Sequence, residues 1–176
     1  KAHVVVFSRA PLLGTVKTRL AAHVGPLAAR DFQLRTSRIV LARLGRDARW
    51  HTWLAVTPDN IASRTRFWPT NVARLPQGDG DLGRRMARAL GRFKGRPVVV
   101  VGSDIPDLAA EHVAGALRAL NSHPVVLGPA RDGGFWLIGA RNGLPPGAFR
   151  GVRWSTCHAL ADTLANLVRP AVVLPS

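Results

Sequence analysis

Ten acidic residues stand against 25 basic ones in this chain, and five of the acids fall where predicted strands end: Asp79, Asp81, Asp104, Asp107 and Asp132. Carboxylates gathered in strand-end loops can hold a hard divalent cation or take a proton from a substrate. Asp104 is the sharpest case. It follows Pro97-Val-Val-Val-Val-Gly-Ser, a run of four valines that reads as a strand buried on both faces. A carboxylate at the tip of such a strand costs several kcal/mol, in order of magnitude, unless something pairs with it. A divalent cation is one partner; a turn beside Pro106, or a cap on a helix starting near Leu108, is the bland alternative. Asp132 lies in Arg131-Asp132-Gly133 between two apolar runs, a hairpin-like signal that would place it at a rim. A turn aspartate bonding its own backbone fits that segment equally.

The second cluster is cationic. Ser8-Arg-Ala-Pro-Leu-Leu-Gly-Thr-Val-Lys-Thr-Arg-Leu20 links a first strand, His3–Phe7, to a helix and carries Arg9, Lys17 and Arg19 with Pro11 and Gly14. Glycine lets the backbone approach a ligand closely, and cations suit phosphate oxygens. The spacing is neither a Walker loop, which needs glycine and lysine adjacent, nor a triple-glycine dinucleotide fingerprint. Further on, Gln77-Gly-Asp-Gly-Asp-Leu-Gly-Arg-Arg-Met86 opens a helix with Asp79 or Asp81 as its N-cap. Its glycines allow backbone to pack against something flat, and Gln77 has the amide edge that a base could pair with.

Several elements must position these residues. Helices are predicted over Pro26–Leu44, from the Gly-rich stretch to Phe93, over Leu108–Leu120 and from Trp154 to Val168, the last capped by Ser155 or Thr156. A short helix is expected near Ile61–Phe67. Strands are predicted at Trp50–Val56, Val72–Leu75, Val98–Val101, Pro124–Ala130, Gly134–Gly139 and Ala171–Leu174. Strands separated by helices call for one α/β domain over residues 1–176, with a mostly parallel sheet and helices on both faces.

Composition narrows the partners. All basic residues except Lys1, Lys17 and Lys94 are arginine, and the net charge of +15 favours polyanions such as nucleotides or phosphorylated metabolites. Helix-turn-helix, RNA-recognition and zinc-finger signatures are lacking and there is no tyrosine to stack bases, which argues against nucleic acid. No apolar run reaches the length of a membrane span, the first strand begins too early for a signal peptide, and the single cysteine, Cys157, permits no internal disulfide. A cytoplasmic protein is the expectation. The six histidines lack paired ligand spacing, and Ser155 with His158 lacks a nucleophile-elbow pattern.

Five blocks in order resemble the DUF2064 group of the GT-A nucleotide-diphospho-sugar transferase superfamily: Arg9-Ala-Pro through Lys17-Thr-Arg-Leu20, Gln77 to Met86, Gly102 to Leu108, Gly128 to Gly134 with Leu137-Ile-Gly139, and Trp154-Ser-Thr156. The pattern is more distantly similar to 2-phospholactate and molybdenum-cofactor guanylyltransferases. The resemblance implies a Rossmann-like GT-A domain. Its nucleotide site would comprise Ser8, Arg9, Ala10, Pro11, Gly14, Lys17, Arg19, Gln77, Gly78, Gly83 and Ser103. Gly133, Gly134 and Trp154 would lie on the acceptor side. Asp104 and Asp132 would hold Mg²⁺ or Mn²⁺, and Asp104, Asp132 and Lys17 would be catalytic.

Two departures stand out: Gly102 replaces the first member of the Asp-x-Asp pair common in GT-A glycosyltransferases, and Phe135-Trp136 stands where the family is expected to carry tyrosines. The implied activity is transfer from a nucleotide-activated sugar to a small-molecule acceptor. The alternatives are nucleotidyl transfer from a nucleoside triphosphate to a phosphorylated acid, or non-enzymatic polyanion binding. Oligomeric state is left open, a homodimer among the options.

Overall fold

The computed structural model describes residues 1–12, 18–63, 67–168 and 171–175, with backbone only for Thr18 and Arg19. Gly14, Lys17 and the side chain of Arg19 therefore lie outside the described residues.

Seven strands form one sheet: β1 (Ala2–Arg9), β2 (Trp50–Thr57), β3 (Ala73–Pro76), β4 (Val98–Gly102), β5 (Val125–Pro129), β6 (Phe135–Ala140) and β7 (Val172–Val173). Their order is β3-β2-β1-β4-β6-β5-β7. β1 runs centrally and parallel to β2 and β4, β3 is parallel to β2, and β7 is parallel to β5. β6 is antiparallel to both β4 and β5. This is the expected mostly parallel sheet, with the hairpin over residues 130–134 supplying the antiparallel strand.

The sheet is covered on both sides because its central strands β1 and β4 carry runs of consecutive valines. Alternate residues of β1 and β4 feed two cores: Val4, Val6, Val99 and Val101 pack with α2 (Pro26–Gly45) and α4 (Ala110–Ala119). Val5, Val98 and Val100 pack with α3 (Leu82–Gly91) and α5 (Ala159–Ala165). A short α1 (Thr18–Val24) precedes α2. At about 25 cal/mol per Å² of apolar surface, burial of these strands is the dominant stabilising contribution. Among the described residues no helix is long and apolar enough to cross a membrane.

Local boundaries differ from expectation in three places. A single 3₁₀ turn at Asp59–Ile61 replaces the helix expected over 61–67, of which 64–66 lie outside the described residues. The N-terminal turn expected for α4 at Leu108 is non-helical, and Ala109 is its N-cap. The last long helix begins at Ala159 rather than Trp154 and ends at Ala165. Ser155 adopts φ 61, outside helical geometry, and the Thr156 hydroxyl donates to the Arg153 carbonyl at 2.7 Å while accepting from the His158 amide at 3.2 Å. Thr156 thus closes a turn ahead of the helix instead of capping it.

Candidate functional site

The carboxyl ends of β1 to β4 lie together at one edge of the sheet, where open α/β sheets bind ligands. β6 is antiparallel, so the β5–β6 turn reaches the same edge. That reversal brings Asp132 beside the tip of β4.

Two clefts open along this edge. The first, of about 420 Å³, lies over the ends of β1, β2 and β3 and is lined by Ser8, Arg9, Thr57, Gln77 and the start of α3 through Arg85. The second, of about 580 Å³, is lined by Asp104, Asp132, Gly134, Phe135 and Trp154 to Cys157, with Met86 beneath. They share Leu82, which stands 44% exposed at the start of α3.

A buried polar chain joins the ends of β1 and β4 to α2. Gln33, on the inner face of α2, donates to the Ser103 hydroxyl at 3.1 Å; Ser103 donates to the Ser8 hydroxyl at 3.0 Å, and Ser8 to its neighbour's carbonyl, Arg9 O, at 3.3 Å. All three side chains are buried. Buried hydroxyls must be satisfied in this way, and the chain ties the tips of β1 and β4 to α2. Ser8 and Ser103 were expected at the nucleotide; Gln33 was missed, because a glutamine inside an amphipathic helix looks like any solvated position until its face is known. Ala10 and Pro11 continue β1: Ala10 is fully buried and bonds Thr57 O, while the Pro11 carbonyl accepts from Arg30 Nε at 3.1 Å.

Gln77 sits differently from expectation. Its amide nitrogen donates to Ser8 O at 3.2 Å and Ala55 O at 3.0 Å, so both hydrogens stitch strand ends together and are not offered to a base. The loop after it is held by ionic side chains. Asp59 accepts from the Gly78 amide, Arg88 donates to Gln77 O and Asp79 O, and Arg85 donates to Gly80 O and the Thr57 hydroxyl. Asp81 caps α3 through the Arg84 amide at 2.8 Å, as the sequence suggested. Gly83 serves packing: a Cβ there would stand 2.7 Å from Trp154 Cζ2 and 3.0 Å from Phe149 Cβ.

Asp104 is exposed, which corrects the expectation of a costly buried carboxylate: β4 ends at Gly102, Ser103 is the last buried residue, and the chain turns outward there. Asp132 is also exposed, and its Oδ1 accepts from the Gly134 amide at 3.0 Å. Gly133 has φ +83, and a Cβ on it would lie 2.1 Å from Cys157 O, so only glycine lets this turn pack on the 154–157 segment. That segment is anchored by Arg153, whose backbone and guanidinium both bond Asp162, holding its carboxyl well below the usual range, at about 2. Phe135 faces the cleft, edge-on to Trp154 at 6.2 Å, whereas Trp136 packs on Gly128 and His112 on the other side.

Among the described residues no group of three or more His, Cys, Asp or Glu could hold a metal by itself. Two carboxylates in one cleft, both oxygen donors, do fit a Mg²⁺ or Mn²⁺ that keeps waters and arrives with substrate phosphates.

The family described as "Uncharacterized protein conserved in bacteria (DUF2064)" matches residues 40–156. The chain belongs to the DUF2064 family. No curated protein matches this DUF2064 member in sequence. Among solved structures it is similar to a protein of Desulfovibrio desulfuricans G20 provisionally named a nucleotide-diphospho-sugar transferase, with 29% identity, TM-score 0.88, and coverage of 99% of this chain and 79% of that one. The same fold occurs in CMP:2-keto-3-deoxy-manno-octonic acid synthetase complexed with CTP, at 11% identity and TM-score 0.61, covering 99% and 89%. It occurs again in Rv0371c of Mycobacterium tuberculosis H37Rv in complex with manganese, at 14% identity and TM-score 0.52, covering 99% and 88%. This DUF2064 member therefore has the nucleotide-diphospho-sugar transferase fold in a single sheet-centred unit.

Proposed function

We propose that this protein is a transferase that takes its group from a nucleotide-activated sugar. The observation that carries the reading is the pair of adjoining clefts at the carboxyl edge of the sheet, one bearing arginines and the other two carboxylates, meeting at Leu82. Likeness to the Desulfovibrio relative supports it.

The nucleotide would occupy the cleft over β1, β2 and β3. Arg9, with Lys17 and Arg19 of the same loop, would face the diphosphate, and charge-assisted bonds would hold it in register. The Gly78 to Gly80 backbone would approach the base, with Gln77 fixing that backbone from below. Asp104 and Asp132 would hold Mg²⁺ or Mn²⁺, which would supply neutralisation of the departing diphosphate. Alternatively, Asp104 alone would hold the cation and Asp132 would be the base that takes the proton from the acceptor hydroxyl. Ser103 and Gln33 would act by positioning the tip of β4.

Thermal-shift measurements with GDP- and UDP-sugars and with GTP, UTP and CTP, each with and without Mn²⁺, test this directly, since preferential binding to the native state raises the melting temperature. Stabilisation by a nucleotide sugar, increased by Mn²⁺ and abolished in Asp104→Asn, is the expected result. Stabilisation by a triphosphate alone would redirect the assignment to nucleotidyl transfer, and no response to any nucleotide would refute both.

A further inference from the structure

Both hydrogens of the Gln77 amide are spent on strand ends, so a base in the cleft over β1, β2 and β3 must be read by other groups. Asp81 and Arg85 both line that cleft. Asp81 caps α3 and Arg85 stands one helical turn further on, a spacing that puts two side chains on the same face. Among the described residues they form no ion pair with each other, because each is fixed elsewhere. Asp81 Oδ1 takes the Arg84 amide at 2.8 Å. The Arg85 guanidinium is half-buried and held at two corners, Nε donating to Gly80 O at 2.8 Å and Nη1 to the Thr57 hydroxyl at 3.1 Å. What remains among the described residues is Arg85 Nη2, with two N–H donors, near Asp81 Oδ2, which only accepts. A phosphate would use the guanidinium alone and be repelled by the carboxylate. A nucleobase edge, with an N–H beside an acceptor, uses both.

We infer that Asp81 and Arg85 read the base of the nucleotide and select one with a ring N–H beside a carbonyl, guanine or uracil. This rests on the nucleotide-binding part of the reading above. The base edge lies against the first turn of α3, with the diphosphate toward Arg9 at the end of β1. The ring N–H donates to Asp81 Oδ2, and the carbonyl, whose two lone pairs suit the two hydrogens of Nη2, accepts from Arg85. Adenine and cytosine carry a bare ring nitrogen and an amino group at the same two positions. They would set lone pair against carboxylate and N–H against guanidinium, which is how a site rejects a near-isostere.

Calorimetry on the full chain with Mn²⁺ gives dissociation constants for GDP, ADP, UDP and CDP, with inorganic pyrophosphate alongside. The comparisons are GDP with ADP and UDP with CDP, so that ring size cancels. Each preference is expected to be about 10-fold or more, the discrimination of one well-placed hydrogen-bonded pair. Arg85→Lys keeps the charge but loses the planar fork. Asp81→Asn keeps a helix cap while turning the free acceptor into a donor. Each substitution should lower both preferences by at least about 5-fold and change pyrophosphate affinity by less than about 3-fold. Parent ratios near unity or reversed overturn the inference, as do ratios that survive either substitution. A uniform loss across the four nucleotides and pyrophosphate overturns it too, because Arg85 would then be a phosphate contact. Failure of the transferase reading looks different: the base preferences and their loss on substitution persist, while no sugar is transferred from GDP- or UDP-sugars. Absence of binding by every nucleotide would remove both.

Discussion

A Cβ on Gly102 would stand 2.8 Å from Asp104 Oδ1, so the glycine and the carboxylate two residues later occupy one space. The usual Asp-x-Asp arrangement is incompatible with this position of Asp104. Gly102→Ala should push the carboxylate aside. Because a flexible side-chain tip gives way, stability should change by less than about 0.5 kcal/mol. Mn²⁺-dependent stabilisation of the nucleotide complex should weaken at least several-fold. Unchanged Mn²⁺ titration curves in the variant would show that Asp104 is not the group that matters.

Gln33 lies under the site without reaching either cleft. Gln33→Leu keeps the volume but takes the donor away from Ser103, which should lower stability by about 1–2 kcal/mol. Urea unfolding measures this. If the buried chain positions the tip of β4, nucleotide affinity should fall too, while Gln33→Glu at low pH, protonated, should recover part of it.

Gly133→Ala forces a Cβ onto the Cys157 carbonyl at φ +83, where backbone must move. A loss of about 2 kcal/mol or more is expected from strain and displacement together. The damage should be confined to the carboxylate cleft. The nucleotide-induced thermal shift measured without Mn²⁺ should survive while turnover disappears; equal loss of both would mean that the two clefts are not separable.

Asp162 gives the clearest pH dependence. Hydrogen bonds from the Arg153 side chain, then from its backbone, lower its folded pKa to about 2, below the usual carboxylate value near 4. The native state therefore holds this proton less tightly than the unfolded chain. The pair's contribution is present above about pH 4 and is lost as pH falls through about 2. Arg153 is largely exposed and Asp162 partly so, and the effect is modest and weakened by salt. Melting temperatures from pH 2 to 5 should converge for the parent and Asp162→Asn at the acid end and separate above pH 4. A constant offset across that range would contradict it.

A second group works in the neighbouring window. His3 stacks on Phe93 at 3.8 Å and its Nδ1 accepts from Trp53 Nε1 at 3.0 Å. Burial first, then the adjacent His51, lower its pKa below 6.5, so the stabilisation from keeping it neutral is present above about pH 6.5 and lost as pH falls below that value. His3→Phe should flatten stability between pH 5 and 7 in thermal scans; an unchanged slope would exclude His3 as its source.

Local rules carried much of this molecule. Four consecutive valines are enough to bury β4 on both faces, because no alternation leaves a side for water, and Asp81 before an apolar-periodic run is enough to start α3. The positions of Asp104 after β4 and Asp132 in the β5–β6 turn follow from the same short-range logic. What required the folded chain was everything that depends on strand order and side-chain direction. Asp132 meets Asp104 in one cleft only because β6 is inserted antiparallel between β4 and β5, with β4 pairing residues 36 to 42 positions further along the chain, which no local pattern encodes. Gln77 and Gln33 carry the same amide as any surface glutamine. Burial among carbonyls and hydroxyls, where an unpaired donor is penalised, turned both into struts beneath the site. Charge followed the same division: composition set the total at +15, and tertiary structure alone decided which cleft would contain none of the described cations.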